Sequence, residues 1–455
     1  MKFNFHASVV ALAVAGTVFA QPAQAQGFLG SLFTSSKSTG AQDSPAKVLE
    51  EARNYSSKHE DWAQAFMHAL YRDGEWGAVL NFQRLGLAAI EKQRFALARK
   101  AFDEAIARVE AIYADDANAA KARSVFNEEK VKDFKGEPYE RAMLYFYRGL
   151  LYLHDGDYQN ARASFLAADR HVSLSSAEVA SYASDFGLMK YLAGWASSCD
   201  GDSSRAEQLI GEAQQSDAVT RALPTKPANS IILVDTGLGP VKWGDGKYNE
   251  VLKFKPSVAQ EAAFTVTTAG GAAIAGLQLA GDVTYQAKTR GGREVDGIMQ
   301  GKAQFKDTAG TVGNTALAIG QQTAMLGAIS GDRSTANAGM AGMLFGLIAK
   351  GVEAATTPAA DIRAWDSLPA AVKIHSAPDV AKAPFQIAMA GVSKTSPLHA
   401  ARGQCSFAWA RTHSAQTVAM GGTAAMADGP PVESNRGERN RALRAMLINE
   451  LADTK

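Results

Sequence analysis

Apolar residues recur at helical spacing from about residue 45 to residue 216, with few of the alternating runs that mark strands. That pattern predicts a helical region over 45–222. Pro224 and Pro227 break it. Beyond them, 231–234 predicts a strand, 236–240 a turn and 251–254 a second strand. Residues 385–390 and 405–411 read as further short strands, and 435–455 as a terminal helix or tail. The expected fold is mainly α, with a smaller α+β region over 228–425.

The helical region carries internal repeats. Gly86, Gly149 and Gly194 each precede an alanine by twelve positions: Ala98, Ala161 and Ala206. A bulky residue follows four later, at Phe102, Phe165 and Ile210, and a second alanine three after that. Small residues let two helices approach, and bulky ones fill the space between them. Asp155-Gly156-Asp157 and Asp200-Gly201-Asp202 supply turns in which glycine can take positive φ. The spacing suits the helix pair of a tetratricopeptide (TPR) repeat, about 34 residues long. It predicts a tetratricopeptide-like helical array with repeats near 79–112, 142–175 and 187–220. The charged stretch 114–137 separates the first two.

In such an array the first helix of each pair lines the concave wall. The positions that face the groove are then Met143, Phe146, Leu150 and Leu153 in the second repeat, and Leu188, Tyr191 and Trp195 in the third. That wall is apolar, and an apolar patch of this size is unusual on a soluble surface. Two readings follow: the groove is filled by another part of this chain, or it accepts an amphipathic helix of a partner.

Composition changes to Ala, Gly and Thr over 262–355. Gly313, Gly320 and Gly327 are spaced by seven, a smooth stripe that permits close helix packing. The stretch 311–355 predicts a glycine-rich helical hairpin, which could fill the groove or touch a membrane. Its uncharged segment 336–349 is short for a spanning helix.

The start of the chain joins Lys2, an apolar run over 7–20 and Ala23-Gln24-Ala25, the parts of a signal peptide ending near residue 25. Cleavage after Ala20 competes, and an uncleaved anchor is the alternative. Residues 26–44 read as a flexible leader. No cysteine sits near the cleavage site, so a lipid anchor is not expected. The expected location is periplasmic or outer-membrane associated. The formal net charge of +1 argues against nucleic acid. Cys199 and Cys405 could form one disulfide joining the helical and C-terminal regions, or remain two buried thiols.

Catalytic motifs are missing: there is no His-Glu-x-x-His, phosphate loop or nucleophile elbow. Residues 237–240 read as a β-turn rather than a dinucleotide loop. His375, His399 and His413 read as core or surface residues. No catalytic residue, metal ligand or cofactor is assigned. Gly136-Glu137-Pro138-Tyr139-Glu140-Arg141, the 235–242 segment and the blocks 285–293 and 361–369 resemble a group of uncharacterised exported tetratricopeptide-repeat proteins of Gram-negative bacteria. The resemblance spans about 131–369. It implies association with the cell envelope and assigns no activity. The repeats and the signal peptide together predict an exported cell-envelope scaffold that mediates protein–protein interaction with an unidentified envelope protein. The alternatives are an enzyme or small-ligand carrier with a site around Arg290, Arg293, Arg363 and Trp365, and a membrane-associated assembly through the glycine-rich helices.

Overall fold

The computed structural model describes residues 44–113, 132–173, 186–247, 249, 251–257, 263–288, 360–389, 392–413 and 436–451. The signal peptide, the leader, Arg290, Arg293 and the hairpin at 311–355 lie outside the described residues. The fold is a mixed α+β one. Its helices are α1 (Pro45–Ser56), α2 (Asp61–Asp73), α3 (Ala78–Glu91), α4 (Phe95–Tyr113), α5 (Pro138–Asp155), α6 (Tyr158–Ser173), α7 (Gly187–Cys199), α8 (Ser203–Ser216), α9 (Ala218–Arg221), α10 (Val283–Lys288) and α11 (Gly437–Glu450).

Local chemistry sets the helix ends. Pro138 opens α5, where its missing N–H costs nothing. Glu137 and Glu140 form a capping box there, and Gly156 closes the helix at φ +77°. The Asp202 carboxylate accepts the Arg205 N–H at the start of α8. Gly201, in the turn before it, has φ +86°.

Helices α3/α4, α5/α6 and α7/α8 pack as three consecutive hairpins. Each is closed by one glycine contact. A Cβ at Gly86 would lie 2.5 Å from the Phe102 ring, one at Gly149 2.5 Å from Phe165, and one at Gly194 2.7 Å from Ile210. The bulky residue follows the glycine by the same spacing each time, and Ala98, Ala161 and Ala206 beside it are buried. The hairpins also pack on one another, α4 on α5 and α6 on α7.

Among the described residues ten strands follow, β1 (Ser230–Thr236), β2 (Val241–Asp245), β3 (Val251–Lys255), β4 (Phe264–Thr267), β5 (Gln278–Asp282), β6 (Ala371–Ser376), β7 (Gln386–Met389), β8 (Val392–Thr395), β9 (Leu398–Arg402) and β10 (Cys405–Arg411). Five form a sheet in the order β5-β6-β1-β10-β9. Within it β1 and β10 run parallel, and the other neighbours are antiparallel. Strands β4, β7 and β8 form a second sheet, and β2 with β3 a two-stranded ribbon.

The strands at 231–234, 251–254, 385–390 and 405–411 appear near their expected places. Strands β2, β4, β5, β6, β8 and β9 were not expected, because each spans only four to six residues, too few for a strand pattern to stand out. Every residue of β1 and β10 is buried. Ile231, Leu233, Phe407 and Trp409 join the helical core, while Ile232, Val234, Ala408 and Ala410 face the second sheet. Side-chain alternation therefore places the central sheet between helices and a smaller sheet. Helix α11 folds back on the beginning of the helical region. Asn440 accepts the Glu75 N–H at 2.9 Å, Tyr55 donates to the Leu447 carbonyl at 3.1 Å, and Arg436 pairs with Asp133 at 2.6 Å.

Gly149→Ala is expected to lower the unfolding free energy by about 1–3 kcal/mol through overpacking against Phe165. Adding Phe165→Leu should restore part of it. Denaturant melts of the three chains check this, and equal stability of Gly149→Ala and the parent would contradict it.

Candidate functional site

The seven residues assigned to the groove are buried, each at most 1% exposed. The surface these residues were expected to form is therefore not an open binding surface. Leu188 lies against β5, where a Cβ at Gly281 would be 2.8 Å from its side chain. Tyr191 donates to the Pro224 carbonyl at 3.0 Å, and the Trp195 indole N–H to the Ala228 carbonyl at 2.9 Å. Met143, Phe146, Leu150 and Leu153 sit in the same core as Ile231, Leu233, Leu398, Phe407 and Trp409. What occupies the wall is the five-stranded sheet and the segment leading to it. Apolar strands supply what an apolar wall needs, which is another apolar surface.

That closure is not a hinge. A buried large apolar side chain contributes roughly 1.5–3 kcal/mol. Exposing Trp365, Trp409, Phe407, Ile231 and Leu233 together would approach the whole stability of a typical domain, about 5–15 kcal/mol. Cys199 and Cys405 add a covalent tie, a disulfide from the end of α7 to the start of β10.

Two polar clusters lie inside the junction. In the first, Glu140 of α5 is fully buried. Its Oε2 accepts the Lys242 ammonium at 2.6 Å and the Glu137 N–H at 2.7 Å, and its Oε1 accepts the Trp365 N–H at 2.8 Å. Lys242 also donates to the Arg363 carbonyl at 2.8 Å. The Arg363 guanidinium pairs with Asp361 at 2.7 Å and donates to the carbonyls of Trp76 and Lys132. It stacks 4.4 Å from the Trp76 ring. Asp366 pairs with Arg84 instead, at 2.9 Å. The Trp365 ring packs on Tyr147, 5.6 Å between centroids. Arg363 and Trp365 are thus occupied in joining the strap 360–370 to the helices.

In the second cluster, Asp235 and Arg411 are register partners at the ends of the parallel strands β1 and β10. Tyr147 of α5 donates to Asp235 Oδ2 at 2.6 Å. Arg411 donates to the Ser367 carbonyl and lies 3.5 Å from Glu91 at the end of α3. Burial pushes the Asp235 carboxyl up to about 6, against the pull of Arg411, Tyr147 and Trp409, while Glu91 adds to the rise. Burial, with Asp235 next, also raises the Tyr147 hydroxyl.

Tyr147 and Arg411 lie outside the candidate site sets, and Glu140, Asp235 and Lys242 enter only within the blocks that carry the resemblance. The one available signal was charge at strand positions otherwise apolar: Asp235 follows a four-residue apolar run, and Arg411 ends a buried strand. His399 accepts from or donates to no catalytic partner; its Nε2 meets the Ala381 carbonyl at 2.9 Å. Among the described residues no group of three His, Cys, Asp or Glu could hold a metal ion. No described helix is long and apolar enough to cross a membrane.

Comparison with protein-family models, with curated proteins and with solved structures finds no match. The chain's own geometry therefore carries the functional reading.

Asp235 makes the fold pH-dependent in a defined direction. The unfolded carboxyl loses its proton near 3.8 and the folded one near 6. Between these values the folded state binds more protons, so this group's contribution to stability falls as pH rises and is lost above the folded pKa. His171, which burial and then Arg141 lower to about 4, acts oppositely over a similar range. The net slope is therefore uninformative, and the difference between the parent and Asp235→Asn is the quantity to measure. That difference should shift against the parent from pH 4 to pH 7, and a flat difference would exclude Asp235 as the source. Separately, replacing Cys199 and Cys405 by Ser should cost about 2–5 kcal/mol. Melts with and without reductant should show the parent losing a similar amount and the double variant nothing.

Proposed function

We propose that the protein is an exported cell-envelope scaffold in which three tetratricopeptide-type hairpins hold a β layer and present it to a protein partner. The repeated glycine contact at Gly86, Gly149 and Gly194 supports the repeat assignment. The observation that carries the functional reading is the filled concave wall. With that wall used inside the molecule, partner contact belongs to the outer surface. The ribbon β2–β3 is the leading candidate there. Its inner face is pinned by Lys242 on Glu140 and by Phe254 against Tyr139, ring centroids 5.7 Å apart. Its outer face carries Val241 and Trp243, 41% and 39% exposed, opposite Lys255 and Lys253 in register. Exposed tryptophan is a side chain that interfaces use, because the ring buries much area at little entropic cost.

The test is site-specific photo-crosslinking in the periplasm. A probe replacing Trp243 should capture one discrete partner, and a probe at the exposed Gln215 of α8 should not. Equal capture at both, or none at Trp243, would remove the ribbon as the partner surface.

A further inference from the structure

The outer face of the ribbon β2–β3 is divided lengthwise. Side chains alternate along a strand, so Val241, Trp243 and Asp245 of β2 share that face with their register partners Lys255, Lys253 and Val251 of β3. Over the first two rungs the β2 row is apolar and the β3 row basic. At the third rung the order reverses, with Asp245 opposite Val251. Neighbouring strands lie about 4.8 Å apart, so one segment crossing the ribbon meets both rows. Among the described residues no other strand or helix carries two exposed large apolar side chains.

The two lysines differ in what they already hold. Lys253 pairs with Asp245 and stands 5.7 Å from the centroid of the Trp243 ring. Lys255 is exposed and meets no acid among the described residues. An exposed ion pair contributes little, so a carboxylate arriving at Lys253 displaces Asp245 at small cost. At Lys255 nothing has to be displaced. The inner face is fixed by Lys242 on Glu140 and Phe254 on Tyr139, so the two rows keep their spacing before any partner arrives.

We propose that the partner segment meeting this ribbon is acidic, with an apolar side chain on Val241 and Trp243 and a carboxylate on Lys255. This rests on the reading of the ribbon as the partner surface. Charge complementarity sets the sign, because a basic segment would place like charges together at Lys255 and Lys253. An anionic bilayer offers the same sign but too little gain. Two side chains that are only 41% and 39% exposed bury less apolar area than one acyl anchor, and one acyl anchor binds membranes marginally.

The test places a benzophenone side chain at Val241 of the full chain, leaving Trp243 and both lysines intact. Photo-crosslinking in the periplasm is followed by sequencing of the crosslinked peptide. Aspartate or glutamate is expected within roughly four residues of the attachment point, one helical turn. Lys255→Glu should lower capture about tenfold by setting like charges together, and Lys255→Arg should retain it. A thermal melt of Lys255→Glu that matches the parent separates lost contact from lost fold. Were that variant to misfold, the peptide sequence decides. A captured segment without acids, or capture unchanged by Lys255→Glu, would overturn this inference and leave the ribbon a protein contact. Crosslinks to lipid alone, or none at Val241 and Trp243, would remove the ribbon reading and this inference with it.

Discussion

The junction between helix α5, the ribbon β2–β3 and the strap 360–370 depends on one buried ion pair, Lys242 on Glu140. Both side chains are out of water, and a buried charge without its partner is costly, of the order of 3–5 kcal/mol. The arrangement avoids that cost by using each oxygen of the carboxylate. One takes the lysine and the N–H that begins α5; the other takes the Trp365 N–H. A single carboxylate thus sets the start of a helix, the position of the ribbon and the path of the strap 360–370. Such a pair contributes little net energy compared with an apolar replacement. Its effect is on register, because only one placement of these three segments leaves no charge unpaired.

Around that pair the apolar surfaces decide the architecture. The helical hairpins and the five-stranded sheet share one continuous core, so neither is a separable binding module. A wall that would grip a ligand in an open helical array here does the work of a domain interior. The disulfide between α7 and β10 lies at the rim of this core and strengthens a closure that packing has already made. Large apolar side chains left exposed then sit outside this core, at Val241 and Trp243 of the ribbon and at Leu279 of β5.

Electrostatics in the interior follows the same logic. Asp235 and Arg411 continue the inward face of strands whose other members are Ile231, Leu233, Phe407 and Trp409. Strand periodicity brings them inside whatever their charge, and once there they are met by Tyr147, Glu91 and the Ser367 carbonyl. Lys373, in register with Val234, turns by the same alternation toward Phe264 of the second sheet.

Local features were legible in the chain itself. The glycine-to-bulky spacing in 79–220 reports contacts between neighbouring helices, and such contacts recur at fixed intervals because each hairpin repeats the same geometry. The turns at Gly156 and Gly201, the entry to α5 and the all-apolar run of β1 are likewise short-range, set by backbone sterics and capping. The apolar wall was also visible, but not what fills it. That depended on strands beyond the helical region, from β1 near residue 230 to β10 past residue 400, several of them short and poor in β-branched residues. The pairings of Lys242 with Glu140, Asp235 with Tyr147 and Arg411 with Glu91 leave no periodic trace, since each joins two segments at a single point. The sequence by itself determined which helices form and how closely partners approach. Only the tertiary structure decided which surfaces face each other, because that choice rests on burying apolar area and neutralising charge between segments whose separation along the chain carries no information about their distance in space.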